Sequence, residues 1–204
     1  MARSFELMRP LSSRVIYLPL IARTNLGNAE SMVRWIPKDD GSYDYDFTIL
    51  DKYLDLAISH MGTPKKVVVN AWDVYLRPAD DQWDEKWWNS LTDEQRKGTY
   101  FRELKERGDL RRKLQAEHGY GPAVTVVKDG AVTDVHLPSY TEEASQALWK
   151  PLFDQLRERL KARGLESAMT IGMLTDSWPS KEEAEALRRR SEEHTSELQS
   201  PNTI

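Results

Sequence analysis

Residues 65–76 read KKVVVNAWDVYL, a pattern that predicts a buried strand. The three consecutive valines at 67–69 are apolar and β-branched, which favours a strand over a helix. Because no polar residue interrupts the run, the pattern is typical of a strand buried on both faces, as in a parallel sheet. Asn70, Trp72, Asp73 and Tyr75 follow the run, so this strand ends in a polar and aromatic group.

Two further apolar runs predict strands of the same kind. One is RVIYLPLIA at 14–22, in which Pro19 removes a backbone donor from the ladder. The other is AMTIGMLT at 168–175. Predicted helices alternate with the strands, at 3–12, 46–61, 141–163 and 180–190. Such alternation indicates parallel strands joined by right-handed crossovers.

Residues 77–140 are predicted to be an insertion. They contain one or two exposed helices and then a β-hairpin that turns at Asp129 and Gly130, which we expect to stay apart from the parallel sheet. Trp83, Trp87 and Trp88 either pack this insertion onto the domain or form a lid over a cleft.

The fold class predicted is α/β, as part of a (β/α)₈ TIM-type barrel. A closed barrel takes eight strands and about 250 residues, so three strands are too few. A complete flavodoxin-like domain is the second interpretation.

Composition excludes several function classes. A net charge of −4 argues against a non-specific grip on nucleic acid, and no apolar run approaches the roughly 20 residues of a membrane span. No cysteine is present, and His60, His118 and His136 share no ligand spacing, so no metal site is predicted. No nucleotide-binding fingerprint or serine elbow occurs, and no cofactor is expected.

The last residues look foreign to the protein. Residues 190–201 read RSEEHTSELQSP, which resembles one reading frame of a short-read sequencing adapter. We therefore expect residues 191–204 to be a non-native tail and residues 1–190 to be a fragment of a larger parent. The start, MARSFELMRPL, has no signal core, but we expect the parent's own N-terminus to lie upstream. The compartment is therefore undetermined, with a secreted or periplasmic parent left open.

Four segments resemble a bacterial family of glycoside hydrolase-like barrel proteins related to glycoside hydrolase family 123. They are LIARTNLGNAESMVRWI, YDFTILDKYLDLAISHMGTPKKVV, WKPLFDQLRERLKARGLESAM and GMLTDSWPSKEE. The resemblance implies a (β/α)₈ barrel, often accompanied by β-sandwich domains, that acts on a glycan or oligosaccharide.

The resemblance also implies an adjacent Asp-Glu pair, which works with the acetamido group of the substrate. Here Asp176 is followed by Ser177, and the pairs Asp84-Glu85 and Asp93-Glu94 fall within the insertion. Either the true pair lies in another part of the parent, or this branch of the family lacks that chemistry.

Barrel enzymes carry their functional groups where strands end and the following loops begin. Asp73 and Asp176 are the only acidic residues at the predicted strand ends and are the candidate catalytic carboxyls, with helix capping as the alternative. The candidate substrate-binding residues at these ends are Arg23, Asn25, Asn28, Asn70, Trp72, Tyr75 and Trp178. The two tryptophans either stack on a sugar ring or are buried beneath the loops.

The leading functional hypothesis is a fragment of a glycoside hydrolase that uses carboxyl acid/base chemistry and is inactive by itself. The alternatives are a non-catalytic glycan-binding barrel and a purely structural barrel. The sugar, the linkage, the stereochemical outcome and the oligomeric state cannot be derived from the sequence.

Overall fold

A computed structural model describes residues 1–10, 14–77, 83–173 and 178–191. The strands are β1 (Val15–Pro19), β2 (Arg34–Pro37), β3 (Tyr43–Asp46), β4 (Lys66–Asn70), β5 (Ala123–Lys128), β6 (Ala131–His136) and β7 (Met169–Gly172). The helices are α1 (Ala2–Met8), α2 (Thr48–Met61), α3 (Glu85–Ser90), α4 (Asp93–Lys97), α5 (Thr99–His118), α6 (Glu143–Lys161) and α7 (Lys181–Ser191). The predicted tail falls almost wholly outside the described residues and stays a prediction.

The three predicted apolar runs form one parallel sheet in the order β1-β4-β7, which confirms this part of the prediction. β4 is the central strand, and its Asn70 lies opposite Pro19 of β1 and Gly172 of β7. β1 and β7 are shorter than the apolar runs that predicted them, whereas β4 extends one residue beyond its three valines at each end. Pro19 is tolerated because it closes a strand that pairs with β4 alone among the described residues.

Helices α2 and α6 bury their apolar faces in the core that also contains Val67 and Val69 of β4. Arg163, just after α6, binds two carboxylates of α2, with Nε 2.8 Å from Asp55 and Nη1 3.0 Å from Asp51. The two crossover helices therefore lie side by side. The side chains on the opposite face of the sheet are less buried than Val67 and Val69, since Val68 is half-buried and Thr170 is exposed.

The predicted hairpin exists and turns at Asp129 and Gly130, which both have positive φ angles, of 51° and 79°. It does not pair with β1, β4 or β7, as expected. It belongs, however, to a second sheet in the order β3-β2-β5-β6, in which β2 and β5 run parallel. The buried hydroxyl of Thr125 accepts from the Ser31 amide at 2.9 Å and helps to fix this junction.

The sequence did not predict strands β2 and β3. Each strand has only four residues, and Tyr43–Asp46 reads YDYD, which is too short and too polar to indicate burial. Trp35 supplies the missing apolar contact, because its fully buried ring lies 4.9 Å from that of Tyr45 and 5.2 Å from that of Trp149.

Gly172 gives a direct test of how tightly β7 packs against β4. A Cβ atom at this position would lie 2.6 Å from Val68 Cγ1. We therefore expect Gly172→Ala to lower the free energy of unfolding by about 1–3 kcal/mol, as measured by denaturant titration. Val68→Ala should relieve the clash, so the double variant should lose less stability than the sum of the single variants. Additive losses would contradict this packing.

Candidate functional site

Asp73 joins two of the three strand ends. Its side chain is 1% exposed, and its two carboxylate oxygens accept from separate backbone amides. Oδ2 accepts from Asn25 in the loop after β1 at 2.9 Å, and Oδ1 accepts from Val74 at 2.8 Å. Burial raises the pKa of Asp73, while these two hydrogen bonds act in the opposite direction. This geometry matches the capping alternative, and a catalytic role for Asp73 stays a prediction.

The loop after β1 is shaped by Asn28. Its Nδ2 donates to the carbonyls of Ile21 and Glu30, both at 2.9 Å. The side chain of Asn25 is exposed, and only its backbone amide is used to bind Asp73. Arg23 has a φ of 60° and forms an ion pair of 2.7 Å with Asp134 of β6. Of these three candidates, Asn25 and Arg23 direct side chains towards solvent, whereas Asn28 mainly holds the loop.

Tyr75 and Arg23 line one cavity of about 280 Å³ between the strand-end loops and the insertion. The Tyr75 hydroxyl donates to the carbonyl of Ala22 at 2.9 Å, so it ties the loop after β4 to the loop after β1. Burial is the main cause that raises the pKa of Tyr75 far above its usual range. Tyr75 therefore remains a neutral phenol.

Trp72 and Trp178 line a second cavity, of about 570 Å³, beside β7. Trp72 is fully buried, and its Nε1 donates to Glu183 of α7 at 3.3 Å. Trp178 is 78% exposed. Only Trp178 thus presents an open indole face on which a sugar ring could stack.

Glu183 forms a capping box with Ser180 at the start of α7. Its carboxylate accepts from the Ser180 amide at 2.8 Å, and its own amide donates to Ser180 Oγ at 3.1 Å. Its further contact with Trp72 was not predicted. No local signal could have revealed it, because the two residues are 111 positions apart.

Asn70 is the most unusual polar group of the site. It ends the central strand, it is fully buried, and neither its amide nitrogen nor its oxygen has a hydrogen-bond partner among the described residues. Its neighbours across the sheet, Pro19 and Gly172, have no polar side chain to offer. A buried amide without partners is costly, and such groups are expected where a ligand or water completes the bonding.

Asp176 and Ser177 lie outside the described residues, so the proposed catalytic role of Asp176 stays a prediction. The two Asp-Glu pairs of the insertion have local structural tasks. Asp84 caps α3 by accepting from Trp87, and Glu85 lies 2.7 Å from Lys105. Asp93 lies 3.0 Å from Arg96 within α4.

The insertion tryptophans are half-buried. Trp87 contacts the rings of Trp88 and Phe101, with centroid distances of 6.3 and 6.4 Å. These contacts lie within the insertion itself. Trp83 packs closely against α5, since a Cβ atom at Gly108 would lie 3.1 Å from both the Cβ and the carbonyl oxygen of Trp83.

Within the described ranges, no three histidine or acidic side chains are grouped to hold a metal ion, and no helix there is long and apolar enough to cross a membrane. His118 and His136 stack with ring centroids 4.5 Å apart. Burial is the main cause that lowers the pKa of His136. The stacked pair joins α5 to β6, and the lowered pKa of His136 keeps that ring neutral near pH 7.

A mixed α/β fold with polar and aromatic groups at the ends of three parallel strands defines a class of domain that binds its ligand at the carboxyl edge of the sheet. Residues 1–195 match the family described as "Glycoside hydrolase 123, catalytic domain". The chain therefore belongs to this family, as the resemblance of its sequence segments predicted.

One solved structure with a similar fold is a family 123 glycoside hydrolase from Clostridium perfringens, described in work on glycolipid glycan hydrolysis. The superposition has a TM-score of 0.55 at 12% identity, and it covers 93% of this chain and 26% of that one. The chain thus spans about a quarter of that protein, and the likeness concerns the fold. A search of curated proteins finds no match.

The contact between Asp73 and the loop after β1 can be tested by mutation. We expect Asp73→Ala to lower the free energy of unfolding by about 1–3 kcal/mol, because two part-buried backbone amides lose their acceptor. Asn25→Ala is the matched control, since it keeps the backbone donor, and it should change stability by no more than about 0.5 kcal/mol. Denaturant titration measures both variants. Equal losses in the two would contradict the role given to the carboxylate.

Proposed function

We propose that this chain forms part of a barrel-type glycoside hydrolase and supplies three of its strand ends to a glycan site. The observation that carries the proposal is the family match over residues 1–195. The position of the polar groups supports it, because Asn70, Asp73 and Trp178 all follow parallel strands at the same edge of one sheet.

The sheet itself supports the barrel interpretation. β1 and β7 each pair on one side only among the described residues, and one face of the sheet, with Val68 and Thr170, is incompletely covered. A barrel resolves both features, since closure pairs every edge and fills the interior with side chains. On this proposal residues 1–190 belong to the barrel domain, residues 77–140 are an insertion between two of its strands, and residues 191–204 are a foreign tail.

The proposed chemistry is general acid and base catalysis by carboxyls. Asp176 is the candidate for direct catalysis, because it comes after β7 in the sequence, and barrel enzymes carry their functional groups after strand ends. Asp73 is better suited to position the loop after β1, since both of its oxygens already accept backbone hydrogen bonds. A glycosidase needs a second carboxyl about 5–10 Å from the first, which further strand ends of the barrel would supply.

The remaining groups suit a sugar ligand. The free amide of Asn70 can both donate to and accept from a sugar hydroxyl or acetamido group. The exposed indole of Trp178 offers a stacking face, and Arg23 and Tyr75 border the neighbouring cavity. The proposed substrate class is a glycan, in keeping with the glycolipid glycan of the solved neighbour.

A non-catalytic glycan-binding domain is the second candidate. It is favoured by Ser177, which stands where an adjacent Asp-Glu pair would need its glutamate. It is also favoured by the structural tasks of the other two Asp-Glu pairs in the insertion.

Binding and hydrolysis together test the proposal. The chain should bind a non-hydrolysable N-acetylhexosamine thioglycoside, as measured by calorimetry. Trp178→Ala should weaken binding about threefold to tenfold, because a stacking face is lost. Trp88→Ala, within the insertion, is the control and should leave the affinity unchanged.

The chain alone should release no chromophore from chromogenic N-acetylhexosaminides, because the partner carboxyl of Asp176 is expected on other strands of the barrel. Hydrolysis that is abolished by Asp176→Asn would contradict the partial barrel. Failure to bind the thioglycoside at all would contradict the glycan site.

A further inference from the structure

The 280 Å³ cavity beside Tyr75 lies between two parts of the protein. On one side lie Tyr75 and Arg23 from the strand-end loops. On the other side lies α5, a polar helix of the insertion that the sequence predicted to be exposed. The cavity thus connects the proposed glycan site to the insertion.

The α5 side of this cavity exposes apolar surface. Leu110 is 58% exposed and Leu114 is 37% exposed, one helical turn apart on the same face. Tyr120, just beyond the end of α5, is 47% exposed and lines the same cavity. A concave apolar surface with an aromatic side chain and a few polar groups is typical of a small-molecule site.

The charged groups around the cavity are mainly cationic. Arg107 lines it and forms no ion pair within the described residues. Arg111 also lines it and donates to the carbonyl of Val74 at 3.1 Å, and Arg23 is paired with Asp134 at the rim. His136 adds no charge near pH 7, because its burial lowers its pKa. The arrangement therefore offers Arg107 as a cation beside an apolar surface.

We propose that this cavity is a saccharide subsite for an acidic sugar, with the ring against Tyr120 and Leu110 and the anionic group on Arg107. Guanidinium groups bind carboxylate and sulfate oxygens through two parallel hydrogen bonds, and this fork favours arginine over lysine for such anions. The subsite rests on the proposed glycan function and extends it, since it assigns a charge to one sugar of the substrate.

The test compares three small glycosides on the full chain by calorimetry or amide chemical shifts. Methyl glucuronide supplies a carboxylate, methyl galactoside 6-sulfate supplies a sulfate, and methyl glucoside is neutral. At least one acidic glycoside should bind about fivefold or more tightly than the neutral one, and shifts should centre on residues 119–123. Which acidic glycoside binds identifies the anionic group.

Arg107→Ala should remove the preference for the acidic glycoside, and Arg107→Lys should restore it only in part because the fork is lost. Arg102→Ala is the matched control, since this arginine lies on the same helix outside the cavity. Equal binding of neutral and acidic glycosides, or a preference that survives Arg107→Ala, would overturn the proposal. Circular dichroism checks that each variant is folded, and Arg107→Gln replaces the alanine variant if that variant unfolds.

Two results distinguish a wrong acidic subsite from a wrong glycan site beside β7. If the neutral thioglycoside binds in a Trp178-dependent manner and no acidic preference appears, only the acidic subsite is wrong. If the acidic glycoside binds through Arg107 and the thioglycoside does not bind, the proposed glycan site beside β7 is wrong.

Discussion

The parallel pairing of β4 with β1 on one side and β7 on the other determines where the loops and helices of the protein lie. Parallel strands must all end at the same edge of the sheet, so the loops after β1, β4 and β7 are brought together whatever their sequences. The crossover helices α2 and α6 then bury Val67 and Val69 in one core. Parallel sheets are normally covered on both faces, and here the two helices cover the face that bears Val67 and Val69.

The carboxylate of Asp73 turns this common edge into a defined site. By accepting from the amides of Asn25 and Val74, it fixes the loop after β1 against the loop after β4. The Tyr75 hydroxyl adds a second link to the same loop through the carbonyl of Ala22. With these polar groups occupied by the fold, Asn70 keeps unmet hydrogen bonds and Trp178 keeps an exposed ring, and the proposed glycan site rests on these two side chains.

The parallel sheet was predictable because each of its strands contains an apolar run, such as the valines at 67–69. β2 and β3 were not, since their stability comes from Trp35 and from pairing with β5, which is distant in sequence. The rule that functional groups follow the ends of barrel strands also selected Asp73, Asn28 and Trp72 as candidate site residues. It did not reveal the structural tasks of Asp73 and Trp72, because their partners are distant in sequence: Asn25 lies 48 positions from Asp73, and Glu183 lies 111 positions from Trp72. Asn28, in contrast, bonds within its own loop.

Amide chemical-shift mapping of the chain with an N-acetylhexosamine thioglycoside shows whether the ends of the three parallel strands form the single glycan site proposed. We expect residues 20–28, residues 71–75 and Trp178 to shift together with a single affinity. Residues 65–66 and 165–168, at the opposite edge, should not respond. Shifts confined to that opposite edge, or different affinities for the three loops, would contradict the account.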